Sequence, residues 1–439
     1  MPPPDDVDLA AARLFGGLLR RAHLCAPSEL ATVVAEEASA ALGARSVVTY
    51  LVDHDEEHLV PVPADGSPDR SRQPVEASMA GRAYTSAAIL TGEPEPGDGA
   101  APSGWRRVWV PLLDGTDRLG VLEMTLPTAD GRVSTAVLAA CERYGHLTAQ
   151  TVVAKDAYGD VFELVRRTRP MSVGAELLRS MLPPLTYATT GLVVSAVLEP
   201  TYDSGGDAFD YALDDGLLHL AVFDGMGHGL AAAGLTTFAL AAYRNSRRRG
   251  LSLERTYAEI DRAVLQHFGG ERHVTAVLAE LDVAGGRLRW VNAGHPPPLL
   301  LREASVVKAL HARPTYPMGW PFHADAGAAA ASVTVGQEDL QPGDMALLYT
   351  DGLVEARGQD GAFLGTAGLA EFLEQQAASG QPAPETLRRL RQAVRERQRE
   401  QWQDDATALL VEWRRGSEQR LLPLTLETGV DAPGDVERS

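Results

Sequence analysis

Four aspartates stand where a carboxylate could do chemistry. Asp207 closes the run Ser204-Gly205-Gly206-Asp207. Asp224 follows the apolar Ala221-Val222-Phe223 and opens the glycine-rich turn Asp224-Gly225-Met226-Gly227-His228-Gly229. Asp351 follows Leu347-Leu348-Tyr349-Thr350 and again opens an Asp-Gly pair with Gly352, while Asp404, with Asp405 beside it, comes just before a last apolar strand pattern. An acid at a strand end is held rigidly, and glycine beside it lets a backbone carbonyl or a substrate come close. Taken singly, each Asp-Gly reads as an exposed turn. Carboxylates packed together without a cation repel, and some are forced to hold protons. Divalent cations resolve that conflict, and a carboxylate-rich, histidine-poor set suits Mg²⁺ or Mn²⁺ better than Zn²⁺.

The elements that must position these acids form a strand-rich second half. Leu192 to Leu198 and Leu217 to Phe223 read as strands, residues 228–246 and 252–268 as helices, and Val274 to Val283 with Leu288 to Asn292 as a hairpin across Ala284-Gly285-Gly286-Arg287. Asp325 to Ser332 reads as loop, Met345 to Tyr349 as a buried strand, residues 384–402 as a charged helix and Thr407 to Trp413 as the last strand. The run Arg247-Arg248-Arg249 reads either as a phosphate patch or, more simply, as solvated charge that offsets a helix dipole. His228 could donate a proton to a leaving group or serve as a structural residue at a helix start, and His295, in Asn292-Ala293-Gly294-His295-Pro296, could fix a turn. Neither is counted as catalytic.

The first half has another texture. Residues 8–42 read as helical around Pro27, Ser46 to Val52 as a strand, Gly92 to Gly104 as a long loop, and Val108 to Leu113 with Leu119 to Met124 as a hairpin over Asp114-Gly115. Asp53-His54-Asp55-Glu56-Glu57-His58 could hold a metal but reads more simply as a solvated hairpin tip. Residues 134–169 read as one long helix ended by Pro170, followed by a short helix capped by Ser172. This connector either carries a signal between domains, with a homodimer through it, or packs on its own domain.

Composition bounds the rest. At 439 residues the chain can hold two or three domains, and its 45% apolar and 23% charged content is that of a globular protein. A net charge of −19 argues against nucleic-acid partners and anionic membranes. Two cysteines, Cys25 and Cys141, make neither a disulfide framework nor a zinc site and read as buried thiols. The start lacks a basic and then apolar leader, and no apolar run approaches the roughly 20 residues of a membrane helix, so a cytoplasmic protein is expected. Beyond about Arg415 a loose polar tail is expected.

Two resemblances add to this reading. The helix, strand, loop and "VWVPLLDGTDRLGVLEM" hairpin of residues 8–155 resemble a GAF domain, a small α/β sensor module that often encloses a ligand, here unidentified. "SGGDAFDYAL", "FDGMGHGLAAAG", "VNAGHPPPLLL", "LLYTDGLVEAR" and "DDATALLV", in that order, resemble the SpoIIE-type serine/threonine phosphatases of the PPM superfamily over residues 185–414. Together they imply an α+β chain: a GAF-like sensor (8–155), a helical linker (156–184), an α-β-β-α sandwich phosphatase (185–414) and a polar tail (415–439).

The second resemblance makes Asp207, Asp224, Asp351 and Asp404 the catalytic, metal-binding carboxylates and adds the Gly225 carbonyl. Asp405 then falls beside the last ligand as an accessory, although the sequence could reverse those two roles. Two Mn²⁺ or Mg²⁺ ions, to which a third could be added, would activate a water against a phosphoserine or phosphothreonine of a partner protein. That partner is expected to be a phosphorylated anti-sigma-factor antagonist, with the GAF-like domain regulating the reaction. Asp203 and Ser204 before the glycines, and Ala208 in place of an aromatic, depart from the pattern and bear on substrate contacts. The alternative is a catalytically silent, ligand-gated regulator.

Overall fold

The computed structural model describes residues 4–66, 70–93, 104–128, 130–203, 205–321, 333–357, 364–398 and 405–422. The chain divides into two compact units, Met1–Thr168 with Gln419–Ser439, and Arg169–Glu418. In the first, α1 (Pro4–Ala22) and α2 (Leu30–Leu42) precede β1 (Ser46–Val52), β2 (His58–Pro61) and β3 (Gln73–Pro74). After α3 (Met79–Ser86) come β4 (Leu90–Gly92), β5 (Trp105–Asp114), β6 (Asp117–Pro127), α4 (Thr135–Asp156) and α5 (Val161–Arg166). The strands pair antiparallel in the order β3-β2-β1-β6-β5-β4. One face packs Val110, Leu112, Leu122 and Met124 against Leu14, Leu18, Val34 and Tyr144 of the long helices, and Tyr144 donates to the Val34 carbonyl at 2.9 Å. The other face packs Tyr50, Trp109 and Val121 against Ala80, Ala83 and Tyr84 of α3. Alternate residues of β5 therefore serve two cores, which is why its sequence reads as a continuous apolar run.

Three expectations for this unit need correction. The helix expected over 134–169 stops at Asp156 and restarts at Val161, with Gly159 in the gap, so local apolar spacing outran the helix. The Asp53–His58 stretch is not a solvated tip: Asp53, His54 and Asp55 are buried. Asp53 accepts the amides of Glu57 and His58, and His54 Nε2 lies 2.9 Å from Glu163, a contact 109 residues away in sequence that no local pattern reports. Cys141 is buried but Cys25 is only half-buried. The expected loop at Gly92–Gly104 lies largely outside the described residues.

The second unit opens with α6 (Val173–Arg179), capped by the Ser172 hydroxyl as its sequence predicts. Then follow β7 (Thr186–Thr189), β8 (Leu192–Glu199), β9 (Asp207–Asp214), β10 (Leu217–Gly225), α7 (Leu230–Arg248), α8 (Leu253–Phe268), β11 (Val274–Asp282) and β12 (Arg287–Ala293). The remainder is β13 (Leu299–Arg302), β14 (Ser305–Ala309), β15 (Gly336–Asp339), β16 (Met345–Tyr349), α9 (Asp351–Val354), α10 (Gly365–Ala378), α11 (Ala383–Gln398) and β17 (Ala406–Trp413).

Two antiparallel sheets result, β15-β12-β11-β10-β9 and β14-β13-β16-β17-β8-β7. Their facing residues, among them Val194, Leu220, Val222, Val277, Trp290, Leu348 and Leu409, make one core. The alternate residues of β10, Ala221 and Phe223, turn the other way into a core with Leu235, Leu240 and Ile260 of α7 and α8. Helices α10 and α11 lie on the second sheet, against β14 and against β8 and β17 respectively. Period-two alternation with both faces covered thus fixes a helix–sheet–sheet–helix order. Two details differ from what the sequence suggests. Arg247 is not a solvated dipole partner but turns back to the buried Asp210 at 2.9 Å, beside Arg244 at 2.7 Å. The polar tail begins with a 3-10 turn at Ser417–Leu421. Asp325 to Ser332 lie outside the described residues.

Candidate active site

The site is built where two strands of the first sheet run out. β9 begins at Asp207, β10 ends at Gly225, and the last register pair between them is Asp224 opposite Asp207. Side chains directly opposite on an antiparallel ladder share a face, and like charges there repel. The second sheet adds a third acid, since Asp405 immediately precedes β17 and acts electrostatically on Asp207. Asp207 is 2% exposed. Burial pushes its carboxyl well above the usual carboxylate range, and the negative charges of Asp405 and Asp224 push it further.

Hydroxyls brace this corner. Thr350, between β16 and α9, donates to Asp207 Oδ2 at 2.7 Å and accepts the Thr407 amide at 2.8 Å, so one side chain ties both strands of the second sheet to an acid of the first. On the other flank Thr275 Oγ lies 3.3 Å from Asp224 Oδ2 and 2.9 Å from His295 Nδ1. A neutral His295 protonated at Nδ1 would donate to Thr275 and leave the threonine proton for Asp224. Burial keeps His295 neutral by lowering its pKa to about 4. Asn292 locks its backbone, accepting the His295 amide at 2.8 Å and donating to its carbonyl at 2.7 Å. Thr236 of α7 donates to the Gly206 carbonyl, which also accepts the Gly225 amide at 3.0 Å.

The glycines are small because backbone passes over them. A Cβ on Gly206 would run into the Gly225 carbonyl oxygen, one on Gly225 into the Thr236 hydroxyl, and one on Gly352 into the Asp405 carbonyl. Asp405 accepts the amides of Gly205 at 2.9 Å and Asp207 at 3.2 Å, one through each oxygen.

Of the residues singled out by sequence, Asp207, Asp224, Gly225 and Asp405 are gathered at this corner. Asp351 is half-exposed at the start of α9, one residue after the Thr350 that bonds Asp207. Asp404 lies outside the described residues. His228 is exposed beside the turn, whereas His295 reaches the site through Thr275. Thr236 and Thr275 carry no sequence signature of their own, whereas Thr350 and Thr407 stand inside the LLYTDGLVEAR and DDATALLV motifs.

The donor set fits a hard divalent cation: it is all oxygen, and positive charge would relieve the repulsion raising Asp207. Among the described residues no group of three or more His, Cys, Asp or Glu is arranged to hold a metal ion by itself, and Asp404 is not among them.

Comparison with known proteins finds relatives for the part of the chain that supplies Asp224 and Asp405 to this corner. Residues 214–414 match the sequence model of the family described as Stage II sporulation protein E (SpoIIE). The phosphoserine phosphatase RsbP of Bacillus subtilis is 32% identical over 155 residues, covering 34% of this chain and 36% of RsbP. RsbU, a phosphoserine phosphatase of the same bacterium, is 20% identical over 249 residues, covering 55% of this chain and 69% of RsbU. The solved RsbU and RsbW domains of Rv1364c from Mycobacterium tuberculosis align with 30% identity and a TM-score of 0.43 over 53% of this chain and 63% of that one. The chain spans 36% and 38% of the first two curated relatives it matches. Residues 214–414, which hold Asp224, Gly225, Thr350, Asp351 and Asp405, are thus the part of this chain that is similar to the SpoIIE family.

Proposed function

We propose that the second unit is a metal-dependent PPM-type serine/threonine protein phosphatase. The observation that carries the reading is the ladder-end pair of Asp207 and Asp224, with the charge of Asp405 brought to it from the other sheet. Asp207, Asp224, Asp351, Asp404 and the Gly225 carbonyl would hold two Mn²⁺ or Mg²⁺ ions. The chemistry such ions supply is activation of a water and neutralisation of charge on the phosphoryl oxygens. Asp405 serves as the brace: its oxygens accept the amides that lead into Asp207 and so set where that carboxylate points. Thr350 and the His295–Thr275 pair orient Asp207 and Asp224 in the same way.

The substrate in this reading is a phosphoserine or phosphothreonine of a partner protein, and the family resemblance favours an anti-sigma-factor antagonist. The first unit, with its GAF-like order of elements, acts as the sensor, and residues 156–184 serve as connector and homodimer contact. Helix α7 is the natural point of control, because its Thr236 is bonded to the Gly206 carbonyl and its start follows the Asp224–Gly229 turn. A cytoplasmic setting belongs to the same reading. No helix among the described residues is long and apolar enough to cross a membrane. The test is Mn²⁺-dependent release of phosphate from p-nitrophenyl phosphate and from a phosphoserine protein. Absence of hydrolysis across Mn²⁺ and Mg²⁺ titrations would remove the reading.

A further inference from the structure

Four carboxylates can hold cations, but a phosphate monoester needs cationic help of its own at the protein surface, and this chain is strongly acidic. One arginine stands in the right place. Arg272 precedes β11, whose first residue, Val274, pairs with Gly225 at the end of β10. The register continues outward: the Met226 amide donates to the His273 carbonyl at 3.1 Å, which brings Arg272 alongside Gly227. Its guanidinium Nη1 lies 3.9 Å from where a Cβ on Gly227 would sit.

The backbone beneath Arg272 is fixed on both sides. Val274 and Met318 exchange hydrogen bonds at 2.9 and 2.8 Å, and Gly319 (φ +87°) packs so closely that a Cβ there would press on the Arg272 carbonyl at 3.0 Å. The turn it overlooks is open. Met226, Gly227 and His228 are exposed, and Gly227 (φ +96°) and Gly229 (φ +72°) adopt backbone conformations that carry no Cβ into the space above the turn. Arg272 is half-exposed and has no ion pair or hydrogen bond from its side chain among the described residues, unlike Arg244 and Arg247, which are pinned to Asp210. A held backbone with an uncommitted guanidinium, two residues beyond the last pair of the ladder and three from the partner of Asp224, is the arrangement that receives a phosphoryl group.

We propose that Arg272 binds the phosphoryl oxygens of the substrate at the rim of the Asp207–Asp224 site, a role that rests on the phosphatase reading above. Its guanidinium offers parallel N–H donors to two phosphoryl oxygens, which orients the ester and offsets the repulsion it meets from Asp224 and its neighbours.

The experiment compares wild type, Arg272→Ala and Arg272→Lys with p-nitrophenyl phosphate in Mn²⁺, using inorganic phosphate as product inhibitor. Arg272→Ala is expected to raise KM and the inhibition constant of phosphate together by about tenfold or more. The Mn²⁺ concentration for half activity should stay unchanged, and Arg272→Lys should recover part of the loss. Unchanged KM and inhibition constant in Arg272→Ala, or a fall in kcat alone, would overturn the proposal. A parallel melting curve separates misfolding from lost binding, and Arg272→Lys remains informative if Arg272→Ala does not fold. If wild type hydrolyses nothing, the phosphatase reading fails by itself. Calorimetry of inorganic phosphate on the Mn²⁺-loaded proteins then decides the arginine: weaker binding to Arg272→Ala supports it, while equal or absent binding overturns it.

Discussion

Two acid-rich corners among the described residues resolve their charge in opposite ways. In the first unit Asp53, Asp55 and Glu56 cluster after β1, and protein groups answer them. Two amides and His58 bond Asp53, Tyr84 donates to Glu56 at 2.6 Å with Arg118 3.9 Å away, and His54 joins the corner to Glu163. In the second unit the charged neighbours acting on Asp207 are further carboxylates, with the Thr350 hydroxyl to orient it. Acids answered by donors and cations of their own fold are costly to unpair. Acids set against each other at a ladder end raise the free energy of the folded chain until a cation arrives, and natural proteins accept such conflict at functional sites.

Neutralising one member of each corner should therefore have opposite effects, and the widest gap is in activity. Asp224→Asn or Asp351→Asn should lower phosphate release by about three orders of magnitude, as loss of several kcal/mol of charge stabilisation requires. In EDTA, Asp224→Asn should melt no lower than wild type, because it removes a repulsion. A variant that keeps its activity, or melts well below wild type without metal, would break the comparison.

Thr350→Val comes next. It removes the donor to Asp207 Oδ2 and the acceptor for the Thr407 amide, so Mn²⁺ affinity, read from half-saturation of activity, should weaken about 10–100-fold. An unchanged half-saturation would show that Asp207 needs no brace from the second sheet.

The first corner should behave as structure. His54→Ala leaves Glu163 without its buried partner and should destabilise the first unit by about 1–3 kcal/mol in a urea melt. Activity toward p-nitrophenyl phosphate should change less than twofold if the second unit folds by itself. A large loss of activity would merge the two corners functionally.

The smallest effect concerns pH. His295 has its folded pKa lowered to about 4, below its unfolded value of 6.5, so between those values the unfolded chain binds more protons. Its contribution to stability is full above about pH 6.5 and is lost as pH falls toward 4. Melting temperatures in EDTA from pH 7.5 to 5 should therefore fall more steeply for wild type than for His295→Gln. Equal slopes would mean that His295 can be protonated without loss of its fold.

Much of the architecture is legible in the order of residues alone. The strand-terminal acids, the hairpins across Asp114-Gly115 and Ala284–Arg287, the Ser172 cap and the five ordered motifs are local patterns, and local backbone preference with side-chain period is enough to read them. The long helix over 134–169 fails because apolar spacing does not register a break that Gly159 permits and tertiary packing exploits.

Other features have no local signal at all. Asp53–Asp55 look like a solvated tip until α5, far along the chain, covers them; Arg247 looks like surface charge until the fold sets it on Asp210. Thr275 and Arg272 are ordinary residues in sequence and become site residues only because β9, β10 and β11 bring their ends together. The sequence by itself determined which residues carry carboxylates and that Asp207 and Asp224 stand at strand ends, since both follow from residue type and period. Which carboxylates oppose one another, which are answered by the protein and which hydroxyls aim them were decided by sheet register and burial. Those depend on contacts up to 200 residues apart, as between Gly205 and Asp405, and electrostatic energy in a low-dielectric interior is set by that proximity.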